Sequence, residues 1–310
     1  MREERRLARE RALEEQTQKE IKKEEKVEEE PKETSSNSNL KKIILIIIIL
    51  LVLSFFYVKE IGNKHLMVNE YKVESKEIPD SFDGLKIVHF SDIHYGTTVN
   101  EKELKNIVSK INELKPDIVF FTGDFFDKDV SLNDDDVKKA SEILKDINST
   151  LYKYAIYGDM DNDKYTKVMT DSNFTILNNE VKLLYYNGNT PIVIAGFNTK
   201  PDYSILNNPV EETDISSLYK IVLVHEPDEY DKLKSYSPNL TLSGHSLGGL
   251  VQIPGIRPLF LQEGSKKYYK ASNKDDNKYF FISNGLGTTK LPVRINNRPS
   301  INLYRIYKVS

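Results

Sequence analysis

Residues Ile87–Gly96 read IVHFSDIHYG. An apolar, partly β-branched run breaks off into Asp92, Ile93 and His94. A short run of this kind predicts a buried strand. Asp92 and His94 then stand at its C-terminal end, the edge that faces the ligand crevice in an open α/β sheet. In an extended segment alternate side chains share a face, so both are expected to reach one point. An Asp and a His meeting at a point suit a divalent metal. For this tripeptide alone, an Asp capping a turn and a His bonded to a nearby carbonyl explain the residues better than a metal does.

Further runs end the same way. DIVFFT, Asp117–Thr122, leads into Gly123 and Asp124. Leu151–Tyr157 leads into Gly158, Asp159, Met160 and Asp161. Ile221–Val224 leads into His225, and Leu240–Leu242 into Gly244 and His245. The chain has 5 His, and three of them fall at these ends. Turn and capping chemistry would use Ser, Thr and Asn as readily, so the recurrence points to metal. Mixed His and carboxylate donors suit Mn, Fe or Zn better than Ca or Mg. His65 and His89 fall outside the pattern, and His89, within a strand, is expected to pack in the core.

The spacing predicts helices over Asn100–Leu114, with Leu104, Ile107, Val108 and Ile111 on one face, and over Asn133–Ile147. Alternation of strand and helix gives a parallel βαβαβ half. The second half reads as strands at Phe174–Leu177, Val181–Tyr186, Ile192–Phe197, Ile221–Val224, Leu240–Leu242, Lys278–Ser283 and Ile301–Tyr307. Short helices are expected near Ser216–Tyr219 and over Tyr230–Tyr236.

Before this domain the composition changes twice. Residues 1–40 are rich in Glu, Lys and Arg and cannot bury a core. Residues 41–59 centre on an uncharged Ile, Leu, Val and Phe run from Ile43 to Val58, slightly short of the ~20 residues that span a bilayer. Lys41, Lys42 and Lys59 can snorkel at its ends. No small-residue cleavage pattern follows, which predicts an uncleaved transmembrane signal anchor. Basic residues upstream predict a cytoplasmic tail and a single-pass protein of the cell membrane with its domain outside. Residues 60–70 read as a linker and 71–310 as the domain. The 310 residues carry no Cys, which excludes disulfides and thiolate chemistry, and the net charge of −3 gives no reason to expect nucleic-acid binding.

The order D-x-H, G-D, G-D-M-D, H and G-H-S-L resembles that of calcineurin-like metallophosphoesterases, with D-x-H, G-D, G-N-H-D/E, H and G-H-x-H as the family pattern. The closing ISNGLGTTKLPVRINNRPSI, Ile282–Ile301, resembles the G-L-G…P-x-R-x-N signature of the membrane-anchored bacterial YkuE-type branch. The resemblance implies an α/β fold, a four-layer α/β/β/α sandwich around two packed sheets, preceded here by one transmembrane helix. It implies that Asp124 bridges two metals, that Asp92 and His94 serve the first, and that Asp159, His225 and His245 serve the second. Asp161 would orient the catalytic His of the family, but Met160 stands at that position. Leu247 stands where the family has a further ligand of the first metal. The implied activity is metal-dependent hydrolysis of a phosphomonoester or phosphodiester, lipid or cell-envelope derived, reduced or altered by these two changes, with one metal held tightly and a second weakly. The other reading is a non-catalytic member that binds a ligand or partner.

Overall fold

A computed structural model describes residues 2–28, 36–57, 65–258, 261–275, 277–289 and 293–310. Residues 1–54 and 55–310 form two compact units. In the first, α1 spans Arg2–Glu28 and α2 spans Ser36–Tyr57. The described side chains of α1 are exposed throughout, as its charge composition requires. In α2, Ile43–Leu50, Val52 and Leu53 are exposed. Among the described residues no helix is long and apolar enough to cross a membrane. The end of the expected anchor, Val58 and Lys59, and residues 60–64 of the expected linker lie outside the described residues.

The second unit is built on two six-stranded sheets. The first holds β1 (Met67–Ser75), β2 (Lys86–Phe90), β3 (Ile118–Phe121), β4 (Tyr152–Ala155), β5 (Thr175–Ile176) and β12 (Ser300–Lys308), in the order β1-β12-β2-β3-β4-β5. From β2 to β5 the pairing is parallel, as the βαβαβ reading predicts. The second sheet runs β10-β11-β9-β8-β7-β6, with β6 at Glu180–Leu184, β7 at Ile192–Gly196, β8 at Lys220–Leu223, β9 at Leu240–Ser243, β10 at Ser272–Asp275 and β11 at Lys278–Ile282.

Alternation along the strands divides the core. Ile87 of β2 and Ile118 and Phe120 of β3 face Ile221, Leu223, Leu240 and Leu242 of the other sheet. Val88, Phe90, Val119 and Phe121 face outward. They pack on α3 (Glu101–Glu113), α4 (Asp134–Lys145) and α5 (Lys164–Asp171). The far face of the second sheet is covered more thinly, by a 3₁₀ turn at Tyr203–Asn207 and by α6 (Tyr230–Leu233), through Tyr203, Leu206, Tyr230 and Leu233. The helix start at Asn100 is a capping box with Glu103, as its spacing allows.

The differences from expectation are local. β1 begins at Met67, within the expected linker, because residues 67–75 pair along their length with β12. Helix α5, with Tyr165, Val168 and Met169 on its buried face, and the largely exposed strand β10 are not among the expected elements. Ser216–Tyr219 is a turn rather than a helix; Ser216 N and Oγ bond to Asp214 instead of continuing a ladder.

His89 is fully buried, with Nδ1 3.2 Å from Tyr304 Oη and Nε2 2.8 Å from Thr122 Oγ1. Burial pushes its pKa down to about 3. The unfolded chain therefore binds this proton more readily than the folded one, and stability is lost as pH falls from the ordinary His range toward 3. Denaturant unfolding at a series of pH values should show a slope of at most about 1.4 kcal/mol per pH unit from this group, and His89→Gln should flatten that part of the profile.

Candidate metal centre

The ends of β2, β3 and β4 are fastened together before any ligand is considered. The ladder between β2 and β3 continues past both strands, with Asp92 N bonded to Gly123 O at 2.9 Å and Ile93 N to Asp124 O at 2.8 Å. Asp92, His94, Asp124 and His245 all adopt positive φ, between 51° and 64°. For non-glycine residues this conformation is uncommon and strained. Asp92 and His94 thus converge through left-handed turns, not through strand alternation as the sequence pattern suggests.

Two groups of side chains result. Asp124, Asp159, His225 and His245 each place a ligand-type atom within 4.8 Å of the others, and so do Asp92, His94 and Asp124. Asp124 belongs to both. The six residues that the pattern singles out as ligands are all brought together. His225 Nε2 lies 3.3 Å from Asp124 Oδ2 and 3.2 Å from Asp159 Oδ1, and His245 Nδ1 lies 3.0 Å from Asp159 Oδ1. The two imidazole nitrogens themselves are 3.2 Å apart.

The outer nitrogens fix which inner ones are free. His225 Nδ1 donates to Thr122 O at 2.6 Å, and His245 Nε2 donates to Glu263 O at 2.5 Å. His94 Nδ1 lies 2.8 Å from Asp127 Oδ1. In the neutral ring each arrangement leaves the other nitrogen as a lone pair facing the centre, the usual way a metal-binding His is oriented. His94 Nε2 is buried without a hydrogen-bond partner, and Asp159 Oδ1 meets only the two imidazole nitrogens. Buried acceptors without donors are costly, and a divalent cation satisfies them. The donor set therefore fits such a metal.

The electrostatics agree. Burial alone would lower the pKa of His225, but Asp124 and Asp159 raise it well above the ordinary value. Burial lowers and Asp127 raises that of His94, with a net rise. Burial would raise Asp159, yet His225 and His245 hold it far below the ordinary carboxylate range. Asp92 is pushed up by burial and by Asp124. The site is a concentration of negative charge that attracts positive charge from protons or metal alike.

Asp161, expected to orient a catalytic His, is placed differently. Its carboxylate accepts from the backbone N–H of Asp124 (3.0 Å), Phe125 (2.8 Å), Phe126 (3.2 Å) and Gly158 (2.8 Å). Burial and Asp124 push its pKa up to about 7, against the Gly158 and Phe126 donors. It holds the Asp124 turn in position. Met160 is held by its backbone, its N–H donating to Asp124 Oδ1 at 2.9 Å. Leu247 is 1% exposed, with its Cδ2 close to Gly285.

The late signature closes the site from behind. Leu286 N and Gly287 N donate to Asp92 O at 3.1 and 2.7 Å. Arg294, 2% exposed, donates through Nη1 to Asn284 O at 2.7 Å and Nη2 to Gly287 O at 2.5 Å. A Cβ on Gly287 would lie 2.1 Å from Ile93 O. This clamp, and the partnership of Asp127 with His94, are functional features that sequence reading did not find. The spacing of Asp127 three residues after Asp124 carries no periodic signal.

Two sheets with carboxylates and imidazoles gathered at the strand ends define a metallohydrolase-type centre. The comparisons name the class. Residues 85–267 match the family model described as calcineurin-like phosphoesterase. The chain is 32% identical over 262 residues to the uncharacterized metallophosphoesterase YkuE of Bacillus subtilis (strain 168), covering 82% of this chain and 90% of that protein. It is 23% identical to the phosphodiesterase YaeI of Escherichia coli (strain K12), covering 73% and 84%. It is also 23% identical to the UDP-2,3-diacylglucosamine pyrophosphatase LpxG of Chlamydia muridarum (strain MoPn / Nigg), covering 72% and 83%. The chain belongs to the calcineurin-like metallophosphoesterase family.

Gly158 tests the geometry. A Cβ there would lie 2.1 Å from Asp124 Oδ1 and 2.4 Å from Asp124 N. Gly158→Ala should displace the one carboxylate common to both groups and weaken Mn binding by about 10–100-fold in a calorimetric titration, with far-UV circular dichroism retained. Unchanged affinity would show that Asp124 is not held by this contact.

Proposed function

We propose that this protein is a metal-dependent phosphoric ester hydrolase with altered catalysis, carried at the cell membrane by its N-terminal helix. The observation that carries the reading is the orphaned His94 Nε2 and the convergence of two donor groups on the shared Asp124. Asp124, Asp159, His225 and His245 would hold one divalent transition metal, Mn, Fe or Zn, tightly. Asp92, His94 and Asp124 would hold a second weakly, since Leu247 has no donor to add. Divalent metal there supplies Lewis-acid charge toward a phosphoryl oxygen and lowers the pKa of water.

The chain's own contribution is positional. Asp161 fixes the Asp124 turn through four N–H groups, and the Thr122 and Glu263 carbonyls set the tautomers of His225 and His245. Met160 has no proton to give, so general-acid help worth ~10²–10⁴-fold is missing from that position. Relatives named as a phosphodiesterase and a pyrophosphatase support a phosphoester-type substrate. A surface location would favour lipid or cell-envelope phosphoesters. A non-catalytic binding role is the second reading, favoured by Met160 and Leu247 themselves.

Full-length protein in detergent, stripped and reloaded with Mn, should hydrolyse an aryl phosphodiester and bind one metal per chain tightly. Asp124→Asn should abolish both, and Leu247→His should raise the second-metal occupancy. A metal-loaded protein with no activity beyond that of Asp124→Asn, on any phosphoester, would favour the binding role.

The apolar run from Ile43 to Val58, with Lys41 and Lys42 before it, supports the anchor and an outward domain. External protease on intact cells should remove residues 67–310 and leave the tail protected. Digestion only after lysis would reverse the orientation.

A further inference from the structure

Beside the centre lies a cleft of about 300 Å³, at the small end of ligand pockets, which run from ~300 to ~1,000 Å³. Asp159 and Asp161 form its inner wall, with Tyr157, Asn178, Asn198 and Lys200 among the residues around it. Asp159 belongs to both places. Its Oδ1 faces His225 and His245, and its side chain remains 26% exposed. The cleft thus opens directly on the metal centre.

The wall is polar and pre-ordered. Asn198 Nδ2 donates to Asn178 Oδ1 at 2.7 Å, and Lys200 N donates to Asn198 Oδ1 at 2.7 Å. Asn179, in a left-handed turn, donates through Nδ2 to Lys200 O at 3.2 Å. These bonds fix the backbone of Lys200 and use the acceptor of Asn178, so the Asn178 amide keeps its N–H donors for a ligand. Lys200 is exposed and is the cationic residue of the lining. An acyl chain would have to cover two carboxylates and two amides without replacing their hydrogen bonds, which is costly. An anion with several oxygens meets a cation and N–H donors there.

Met160 narrows the chemistry further. An alkoxide leaving group, with a parent pKa near that of water at ~16, needs a proton as it departs. A phenolate, with a parent pKa of ~10, needs it less. A phosphate monoester, with a second pKa of ~6, needs none. Position 160 offers no acid, and the adjoining cleft offers Lys200 and the Asn178 N–H groups beside carboxylates whose charge a bound metal would offset.

We propose that the Asn178–Asn198–Lys200 cleft is the leaving-group subsite of this centre, and that it receives a phosphate, so that the bond cleaved is a phosphoanhydride. This rests on the reading of the centre as hydrolytic. Water oxygen forms the new P–O bond at one phosphorus, and the bridging P–O bond breaks. Its electron pair stays on the departing phosphate, and the protons of the water pass to solvent. No oxidant or co-reactant is needed.

The test uses full-length Mn-loaded protein, inorganic pyrophosphate and a phosphoanhydride diester as substrates, and an aryl and an alkyl phosphodiester for comparison. Methylenediphosphonate is the uncleavable probe. The anhydrides should be cleaved fastest and the alkyl diester slowest. Lys200→Met should lower kcat/KM for the anhydrides and weaken methylenediphosphonate binding by about ten-fold or more, as expected for loss of a bond to a charged group, with a smaller loss on the aryl diester and the metal content unchanged. Preference for the alkyl or aryl diester, or a Lys200→Met effect that is equal on all substrates or absent, would overturn the proposal while leaving the hydrolase reading intact. No turnover of any compound would overturn both, and Lys200-dependent binding of methylenediphosphonate would then mark the cleft as an anion site without catalysis.

Discussion

Four carboxylates, those of Asp92, Asp124, Asp159 and Asp161, are crowded at one edge of the two-sheet core, and the local structure follows from the need to neutralise them. Buried charge is tolerated only when paired and hydrogen-bonded. Each of the four has a different solution. Asp161 takes four backbone N–H groups. Asp159 faces two imidazoles. Asp92 accepts from His245 N and from Ser91 Oγ. Asp124 accepts from Met160 N and faces His225. The left-handed turns at Asp92, His94, Asp124 and His245 are the backbone strain that this convergence requires.

The two groups of donors are not equivalent. The set of Asp124, Asp159, His225 and His245 offers four side chains, two of them imidazoles whose outer nitrogens are held by carbonyl oxygens. The set of Asp92, His94 and Asp124 offers three, and the buried Leu247 has no donor to add. Removing a donor from the inner ligand set costs more than removing an outer partner, which alone is typically worth ~10–100-fold in affinity. Met160 acts at the level of proton supply instead. Its backbone still serves Asp124, so the framework stands with a side chain at position 160 that has no proton to give.

Much of this was legible in the sequence because strand ends are marked by abrupt changes. The runs before Asp92, Asp124, Asp159, His225 and His245 are short, apolar and bounded, and each forms a strand within one or two residues of its expected limits. The two helices with capping signals, at Asn100 and Asn133, both form with capping boxes. What could not be read is what depends on tertiary partners. Strand β10, exposed along most of its length, has no apolar pattern of its own. β1 extends back to Met67 only because β12 offers a full-length partner. Asp161 was assigned to a missing imidazole because sequence order cannot show which N–H groups a carboxylate meets.

Arg294 shows how a late segment can complete an early one. It follows Asp92 by some two hundred positions, yet its guanidinium holds the Asn284 and Gly287 carbonyls, and Gly287 N holds the Asp92 carbonyl. Burial pushes its pKa down to about 10, with Asp92 acting in the opposite direction, so it remains a cation at neutral pH. It is a fixed positive charge beside a carboxylate whose neighbour Leu247 contributes none. Lysine could supply the charge but not the forked pair of donors that ties two carbonyls of one loop. The constraint at position 294 is therefore geometric as much as electrostatic, and it acts on the D-x-H turn through the backbone rather than through any side chain of the centre.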